Sequence, residues 1–212
     1  LVRMQQDARF MESLHAGRII PPGSTDYNAW VSKRGEFDRR LERTFIYRYG
    51  LVPAKANPWS FVTMMFVHGG VFHLLGNMVF LWIVGCVLEM GLGRIAYASG
   101  YILAGILAAL VYFAVHHNSY IPTIGASGAI SGLMGALTVL YGLTRIRVFF
   151  SAGFYFDYFR MPALLLLPFW LGKELLAFFA GAPGGVAYMA HAGGLAGGAL
   201  LGVGARRLMG PT

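Results

Sequence analysis

The sequence predicts an all-α integral membrane protein whose transmembrane helices form a bundle. Hydrophobic residues make up 57% of the 212 positions and charged residues 12%, and the mean hydropathy is +0.58. Soluble domains carry about 25% charged residues, so this composition disfavours a water-soluble fold. Five apolar segments, each near the ~20 residues that a helix needs to cross ~30 Å of hydrocarbon, run approximately over 66–88, 95–115, 124–144, 161–181 and 185–205.

Charge divides the chain into two regions. Residues 1–60 hold most of the charged side chains and no apolar run of spanning length, so we expect a polar extracytoplasmic segment with a short interfacial helix over 35–48. Residues 61–212 form the predicted transmembrane domain. The net charge of +8 does not indicate a nucleic-acid partner, because the cations of the first region are interspersed with acids. The single cysteine, Cys86, lies in an apolar segment, where we expect it to fill the core.

Basic residues predict the orientation of the bundle. By the positive-inside rule, turns that carry arginine face the cytoplasm. The connections at 116–120 and 181–185 contain no Lys or Arg. We therefore expect a multi-pass protein of a bacterial inner membrane, with residues 1–60 on the outer side. The arginines lie after the first, third and fifth segments or just before the fourth: Arg94, Arg145, Arg147, Arg160, Arg206 and Arg207.

Four polar side chains lie at a common depth within these apolar segments. At ~1.5 Å per residue, Ser127 and His191 lie ~27 and ~22 Å from the basic ends of their segments. By the same measure, Asn77 and His73 lie ~26 and ~31 Å from theirs. Polar groups inside a bilayer are costly, so their alignment on three segments indicates function. A serine level with a histidine predicts a nucleophile with its base, and hence peptide hydrolysis within the membrane.

Glycines predict that the third and fifth segments cross closely. Gly128 and Gly132 are four residues apart in the third segment, and Gly194 and Gly198 are four apart in the fifth. Small residues at this spacing let helix backbones approach one another. A close crossing is what proton transfer between a serine and a histidine requires, because the two side chains must come within ~3 Å. Ordinary membrane packing uses the same glycine pattern.

Three motifs follow one another along the chain: the set His68, His73 and Asn77, then Gly125-Ala126-Ser127-Gly128, then the helix that begins with His191 and continues through Gly194 and Gly198. In this order they resemble the motifs of the rhomboid family of intramembrane serine proteases, over about residues 51 to 205. The resemblance implies a six-helix core in which the first segment of this chain is the family's second helix. It therefore leads us to expect another transmembrane helix just upstream of Leu1.

The resemblance implies roles for individual residues. Ser127 would attack the scissile carbonyl, with His191 as the base in a dyad that uses no carboxylate. His73 and Asn77 would join the Ser127 backbone N–H in holding the oxyanion. No cofactor and no metal are implied. The expected partners are membrane lipid and single-pass transmembrane proteins, cleaved near the outer face of the membrane.

The chain departs from the family pattern at two positions. Many members have an aromatic residue four positions after the serine, where it stacks on the histidine, and this chain has Ser131. Ser131 lies one helical turn from Ser127, so we expect it to hydrogen-bond His191 instead. In the preceding loop, where a Trp-Arg pair is common, the chain has Trp59-Ser60.

Two other classes of function fit part of the sequence. A metal-dependent membrane enzyme or transporter would use His68, His73 and His191 as ligands, although no carboxylate joins them. A non-catalytic rhomboid-like protein would bind client helices without cleaving them. Lys173 and Glu174 interrupt the fourth segment. We expect one of them to snorkel to the outer surface, or Glu174 to face a wet cavity.

Overall fold

The computed structural model of the protein describes residues 8–152, 155–179 and 187–209. The chain divides into two compact units, 1–48 and 49–212. The first unit contains α1 (Ala8–His15) and α2 (Tyr27–Glu42), followed by the short α3 (Phe45–Tyr49) at the boundary between the units. The helix predicted over 35–48 is divided in the structure between α2 and α3. The helical path breaks after α2, where the Thr44 hydroxyl donates to the Leu41 carbonyl at 2.7 Å.

The second unit contains the apolar helices. Short 3-10 turns occupy Pro53–Lys55, Met64–Phe66 and Ala163–Leu165. The remaining elements are α4 (Ser60–Thr63), α5 (Val71–Leu92), α6 (Arg94–His116), α7 (Ser127–Tyr141), β1 (Arg145–Ala152), β2 (Tyr155–Pro162), α8 (Leu166–Phe179) and α9 (Ala187–Met209).

The helices differ in length more than the sequence predicts. Within the described residues, α5 and α6 are long and apolar enough to cross a membrane, with mean hydropathies of 2.1 and 2.0. The 23 residues of α9 give a comparable length, but its many glycines lower its hydropathy. The 15 residues of α7 and the 14 of α8 reach only ~22 Å at ~1.5 Å per residue. Loop residues therefore occupy part of the depth assigned to the third and fourth segments.

An antiparallel hairpin of β1 and β2 follows α7, where the all-α prediction placed a basic turn. Alternate residues explain why a strand forms. Ile146 and Val148 are 6% and 5% exposed, and both are β-branched, which suits a strand with one buried face. The intervening Arg145 and Arg147 are exposed on the opposite face. This period-two pattern was too short to be separated from the flanking apolar segments by sequence alone.

Small residues place α7 at the centre of the second unit. Every residue from Ser127 to Leu137 is buried. One hydrophobic cluster joins α5, β1 and α8 to one side of α7, and a second joins α6, α9 and the segment around Leu51 to another side. The expectation that Cys86 fills the core is wrong, because its side chain is exposed on α5. A thiol behaves as a small apolar group, so an outward position is compatible with a lipid-facing surface.

Candidate active site

Three helices of the second unit begin at the same end of the bundle. Gly128 in the first turn of α7 packs against Gly194 of α9, and Gly132 packs against Gly198 one turn later. Both helices therefore run in the same direction. Gly125, just before α7, lies beside Asn77 near the start of α5, so α5 also begins at this end. The arginines of the turns lie at the opposite ends of these helices.

Gly125 shapes the loop that leads into Ser127. Its φ angle of +115° is one that residues with a Cβ rarely adopt, and its N–H donates to the Met64 carbonyl at 2.9 Å. The turn sets Ser127 as the first residue of α7, with only 9% of the residue exposed. Ser127 is therefore at a helix N-terminus instead of inside the helix that the sequence predicted over 124–144, and its backbone N–H is among the groups that lack a partner within the helix.

Ser127 and His191 come into direct contact. The Ser127 Oγ lies 2.7 Å from the His191 Nε2, a distance at which the hydroxyl donates to the unprotonated ring nitrogen. The two residues are on different helices and 64 positions apart in the chain. Only a close approach of α7 and α9 brings them together. A Cβ built on Gly194 or Gly198 would overlap a backbone carbonyl oxygen of α7, so the glycines of these helices set that approach.

The indole ring of Trp170 borders the imidazole of His191. Their ring centroids are 6.0 Å apart in an edge-to-face arrangement, and Trp170 is 1% exposed. Ser131 does not take the role expected from the sequence. Its Oγ is fully buried and has no hydrogen-bond partner among the described residues, so the expected bond from Ser131 to His191 is wrong. The aromatic neighbour of this histidine comes from α8 instead of α7.

His73 and Asn77 lie next to the loop before Ser127. A Cβ added to Gly125 would be 2.8 Å from the His73 Nε2 and 3.6 Å from the Asn77 Nδ2. The His73 Nδ1 accepts a hydrogen bond from the Gly69 N–H at 3.3 Å. The neutral ring therefore carries its proton on Nε2, the atom that faces the loop. Asn77 is 3% exposed, and within the described part of the chain its Nδ2 has no hydrogen-bond partner.

His68 lies in the loop before α5, outside the helix. Its ring stands edge-on to that of His73 with centroids 5.1 Å apart. Burial lowers the pKa of His68 from its ordinary value, against the opposing effect of a backbone hydrogen bond at Phe66. Across the described residues, no three His, Cys, Asp or Glu side chains are grouped so that they could hold a metal ion. The proposed ligands His68, His73 and His191 are thus not assembled as a metal site.

Glu89 and Glu174 are the acidic residues of the apolar helices α5 and α8. Glu89, at the other end of α5, pairs with Arg94 at 3.6 Å. Lys173 and Glu174 lie in α8, and their side chains are outside the part that the structure describes. The serine and histidine therefore form a pair without a third, carboxylate member among the described residues.

The Rhomboid domain profile matches residues 55–208 of this chain. The chain belongs to the rhomboid family. This family has a multi-pass helical membrane fold, so the apolar helices described above are those of an integral membrane protein.

Rhomboid relatives include proteases and an inactive protein. RHOMBOID-like protein 1 of Arabidopsis thaliana is 30% identical over 162 residues, 76% of this chain and 38% of that protein. Rhomboid protease GluP of Bacillus subtilis (strain 168) is 37% identical over 84 residues, 40% of this chain and 16% of that protein. Inactive RHOMBOID-like protein 8 of Arabidopsis thaliana is 38% identical over 79 residues, 37% of this chain and 22% of that protein.

The matched region is a part of these longer rhomboid proteins. It spans 31% to 38% of the length of three Arabidopsis relatives. A relative named as a protease and one named as inactive have similar identities to this chain. Membership of the family therefore does not by itself determine whether the chain is active.

Sequence reasoning missed two supports of the rhomboid site. Trp170 is one of them, because a tryptophan in an apolar segment looks like any other core residue. The other is the segment before α4, assigned to the polar region. Leu51 pairs with Thr123 through two backbone hydrogen bonds of 3.0 and 2.8 Å, and Leu51 is fully buried. These bonds hold the loop that leads to Ser127. An apolar Leu51-Val52-Pro53 run beside a charged stretch was the available signal.

Proposed function

We propose that this chain is an intramembrane serine endopeptidase in which Ser127 is the nucleophile and His191 the base. The observation that carries the proposal is the 2.7 Å separation of the Ser127 Oγ and His191 Nε2. A serine hydroxyl is a weak nucleophile at neutral pH and needs an adjacent base to accept its proton. The Trp170 ring, edge-to-face with the imidazole at 6.0 Å between centroids, limits the movement of His191, which favours the reactive geometry.

The reaction follows from proton transfer between these two side chains. The Ser127 Oγ bonds to the scissile carbonyl carbon while its proton passes to the His191 Nε2. The protonated imidazole then delivers that proton to the leaving amine as the C–N bond breaks, which leaves an acyl group on Ser127. In the second half, water gives a proton to His191 and attacks the ester. The bond between the acyl carbon and the Ser127 Oγ then breaks, His191 returns its proton to that oxygen, and the new carboxyl terminus leaves.

We assign three hydrogen-bond donors to the oxyanion. The Ser127 N–H is at the N-terminus of α7, where backbone N–H groups point outward. His73 presents its Nε2–H toward Gly125, and the buried Nδ2 of Asn77 lies on the same side. Charge that develops in a site of low dielectric is stabilised strongly by donors that are already in place. This assignment explains why a polar amide is buried at Asn77.

The substrate class follows from the position of the dyad. The nucleophile lies at the start of a short helix within a membrane protein, so we propose that it accepts single-pass transmembrane segments. A helical substrate hides its carbonyls in its own hydrogen bonds, and these must open before Ser127 can attack. Segments with small or helix-breaking residues near the cleavage point should therefore be preferred. The positive-inside rule places the site toward the extracytoplasmic face, because the arginines lie at the other end of α5, α7 and α9.

Cleavage of a single-pass reporter in proteoliposomes tests the proposal. The reporter carries glycine and proline residues in the outer half of its membrane segment, and a matched reporter carries leucines there. We expect cleavage of the first and little cleavage of the second, with both results unchanged by EDTA. Equal cleavage of the two reporters would remove the unwinding argument. Loss in EDTA that zinc restores would favour a metalloenzyme.

A non-catalytic client-binding protein is the second candidate, favoured by the similarity to an inactive relative. Binding of the first reporter without any cleavage, by a chain whose Ser127 and His191 are intact, would support that candidate over the protease.

A further inference from the structure

The hairpin of β1 and β2 has one face packed on the protein and one face turned away. Ile146 and Val148 point into the hydrophobic cluster beside α7. Side chains alternate along a strand, so Arg145 and Arg147 point to the other side. Arg160 of β2 shares that side, because it is the register partner of Arg147. We call Arg145, Arg147 and Arg160 the arginine face; all three are exposed.

Two like charges oppose one another directly on this face. Arg147 and Arg160 are cross-strand partners, an arrangement that destabilises a strand pair when nothing lies between the charges. Among the described residues, neither guanidinium has an acidic partner within ion-pair distance. An anion seated between the two side chains would remove the repulsion. Phosphate suits this place, since a guanidinium donates two parallel hydrogen bonds to its oxygens.

Aromatic residues continue the same face toward the tip of the hairpin. Phe149 and Tyr158 are the next cross-strand pair on this side, with ring centroids 5.4 Å apart in an edge-to-face arrangement. Trp82 of α5 lies 4.9 Å from Phe149 and is 51% exposed. Trp82 lies near the middle of α5, which is the depth of lipid acyl chains for a helix that crosses the membrane. The face is thus cationic at its base and aromatic beyond it.

The hairpin begins at the end of the bundle that carries the basic residues. Arg145 follows α7 by three residues, and the Arg206 guanidinium of α9 donates to the Val139 carbonyl of the last turn of α7 at 3.4 Å. By the positive-inside rule this end meets the cytoplasmic leaflet, whose anionic lipids attract clustered arginines. The oxyanion site lies at the other end of the bundle, so it does not account for the exposed arginines of the hairpin.

We propose that the arginine face binds the phosphodiester headgroup of an anionic phospholipid in the leaflet at the basic end of the bundle. The lipid phosphate sits between Arg147 and Arg160, while Phe149, Tyr158 and Trp82 contact an acyl chain of the same lipid. The proposal requires a membrane protein, which the family provides, and does not depend on proteolysis. Bound lipid would hold the hairpin against α5.

Native mass spectrometry of the full chain in non-ionic detergent tests this site. Phosphatidylglycerol and phosphatidylcholine with identical acyl chains are titrated against wild type and Arg147→Gln/Arg160→Gln. We expect saturable phosphatidylglycerol binding to wild type and about 30-fold weaker binding to the double variant, since each arginine near a membrane contributes a factor of about 5. Lys33→Gln/Arg39→Gln, which removes two exposed charges of α2, is the matched control and should bind like wild type.

Several outcomes would overturn the proposal. Equal phosphatidylglycerol affinity of wild type and the double variant would do so, as would equal binding of phosphatidylcholine. Displacement of the lipid by inorganic phosphate at similar concentration would make the face a general anion site. Tighter binding of a polyglutamate peptide than of lipid would assign it to an acidic protein. If circular dichroism shows that the double variant does not fold, the single variants Arg147→Gln and Arg160→Gln are measured instead. Each should bind phosphatidylglycerol about fivefold more weakly than wild type.

Discussion

Gly198 of α9 lies against the carbonyl oxygen of Gly132 in α7 so closely that no Cβ fits between them. This contact lies two turns from His191 along α9 and sets the distance at which the histidine meets Ser127. The dyad therefore depends on residues that carry no functional group.

Gly198→Ala should weaken both the fold and the site. The added methyl forces α7 and α9 apart, and overpacking of this kind typically costs about 1–3 kcal/mol. Gly204→Ala is the matched control on the same helix, because a Cβ at Gly204 meets nothing within 4 Å. The unfolding temperature and the rate of reporter cleavage should both be lower than wild type for Gly198→Ala and equal to wild type for Gly204→Ala. Equal behaviour of the two variants would contradict the close-crossing argument.

His73→Ala and Asn77→Ala should each slow turnover by about 10²–10³, with little change in KM. Loss of one oxyanion donor costs about 2.7–4 kcal/mol of transition-state stabilisation, and this loss falls on kcat when the ground state makes no use of the donor. The exposed His117 provides the control variant His117→Ala, for which wild-type kinetics are expected. If KM and the unfolding temperature change while kcat does not, the two residues have packing roles only.

Trp170→Ala should reduce kcat at temperatures well below its unfolding transition, whereas Trp170→Phe should keep much of it. The indole contacts both His191 and Phe80, with ring centroids 6.0 and 4.7 Å apart. Truncation of a buried tryptophan also costs about 3–5 kcal/mol of stability. The pH profile of kcat separates the two effects, since only loosening of His191 should change its shape. Trp59→Ala, at a residue 78% exposed, should alter neither quantity.

The stability of the folded protein should decrease as the pH is lowered, because of His68. Burial lowers the pKa of this histidine below its ordinary value of 6.5, so the folded protein takes up the proton less readily than the unfolded chain. The contribution of His68 is therefore constant above the unfolded pKa, and stability is lost as pH falls through 6.5 toward the lowered pKa. Unfolding temperatures at about pH 7.5 and 5.5 measure the effect. His68→Gln should reduce the loss, and the exposed His117→Gln should not.

The candidate site was more predictable from the sequence than the fold around it. Polar groups are rare in apolar segments, so Ser127, His191 and Asn77 were visible by their chemistry, and basic anchors gave their relative depth. The lengths of the helices were less predictable. The loop before Ser127 is itself apolar, so hydropathy did not show that α7 starts only at Ser127, and the positive φ of Gly125 is a tertiary feature.

The hairpin and Trp170 show why the remainder was not predictable. Arg145 and Arg147 alternate with Ile146 and Val148 over only four residues, which is too short a pattern to separate from the adjoining turn. The contact between Trp170 and His191 depends on how α8 packs, and no local pattern encodes that distance. The absence of an aromatic residue at Ser131 suggested a hydrogen bond, whereas packing supplied a ring from another helix.

Labelling with a fluorophosphonate tests most directly whether Ser127 is an activated nucleophile. Peptide mass spectrometry should locate the adduct on Ser127 of wild type. Ser127→Ala and His191→Ala should not be labelled, while Ser131→Ala, which removes a buried serine one turn further along the same helix, should be labelled at the wild-type rate. Circular dichroism checks that all three variants fold. Undiminished labelling of Ser127→Ala, or an adduct on any other residue of wild type, would contradict the account.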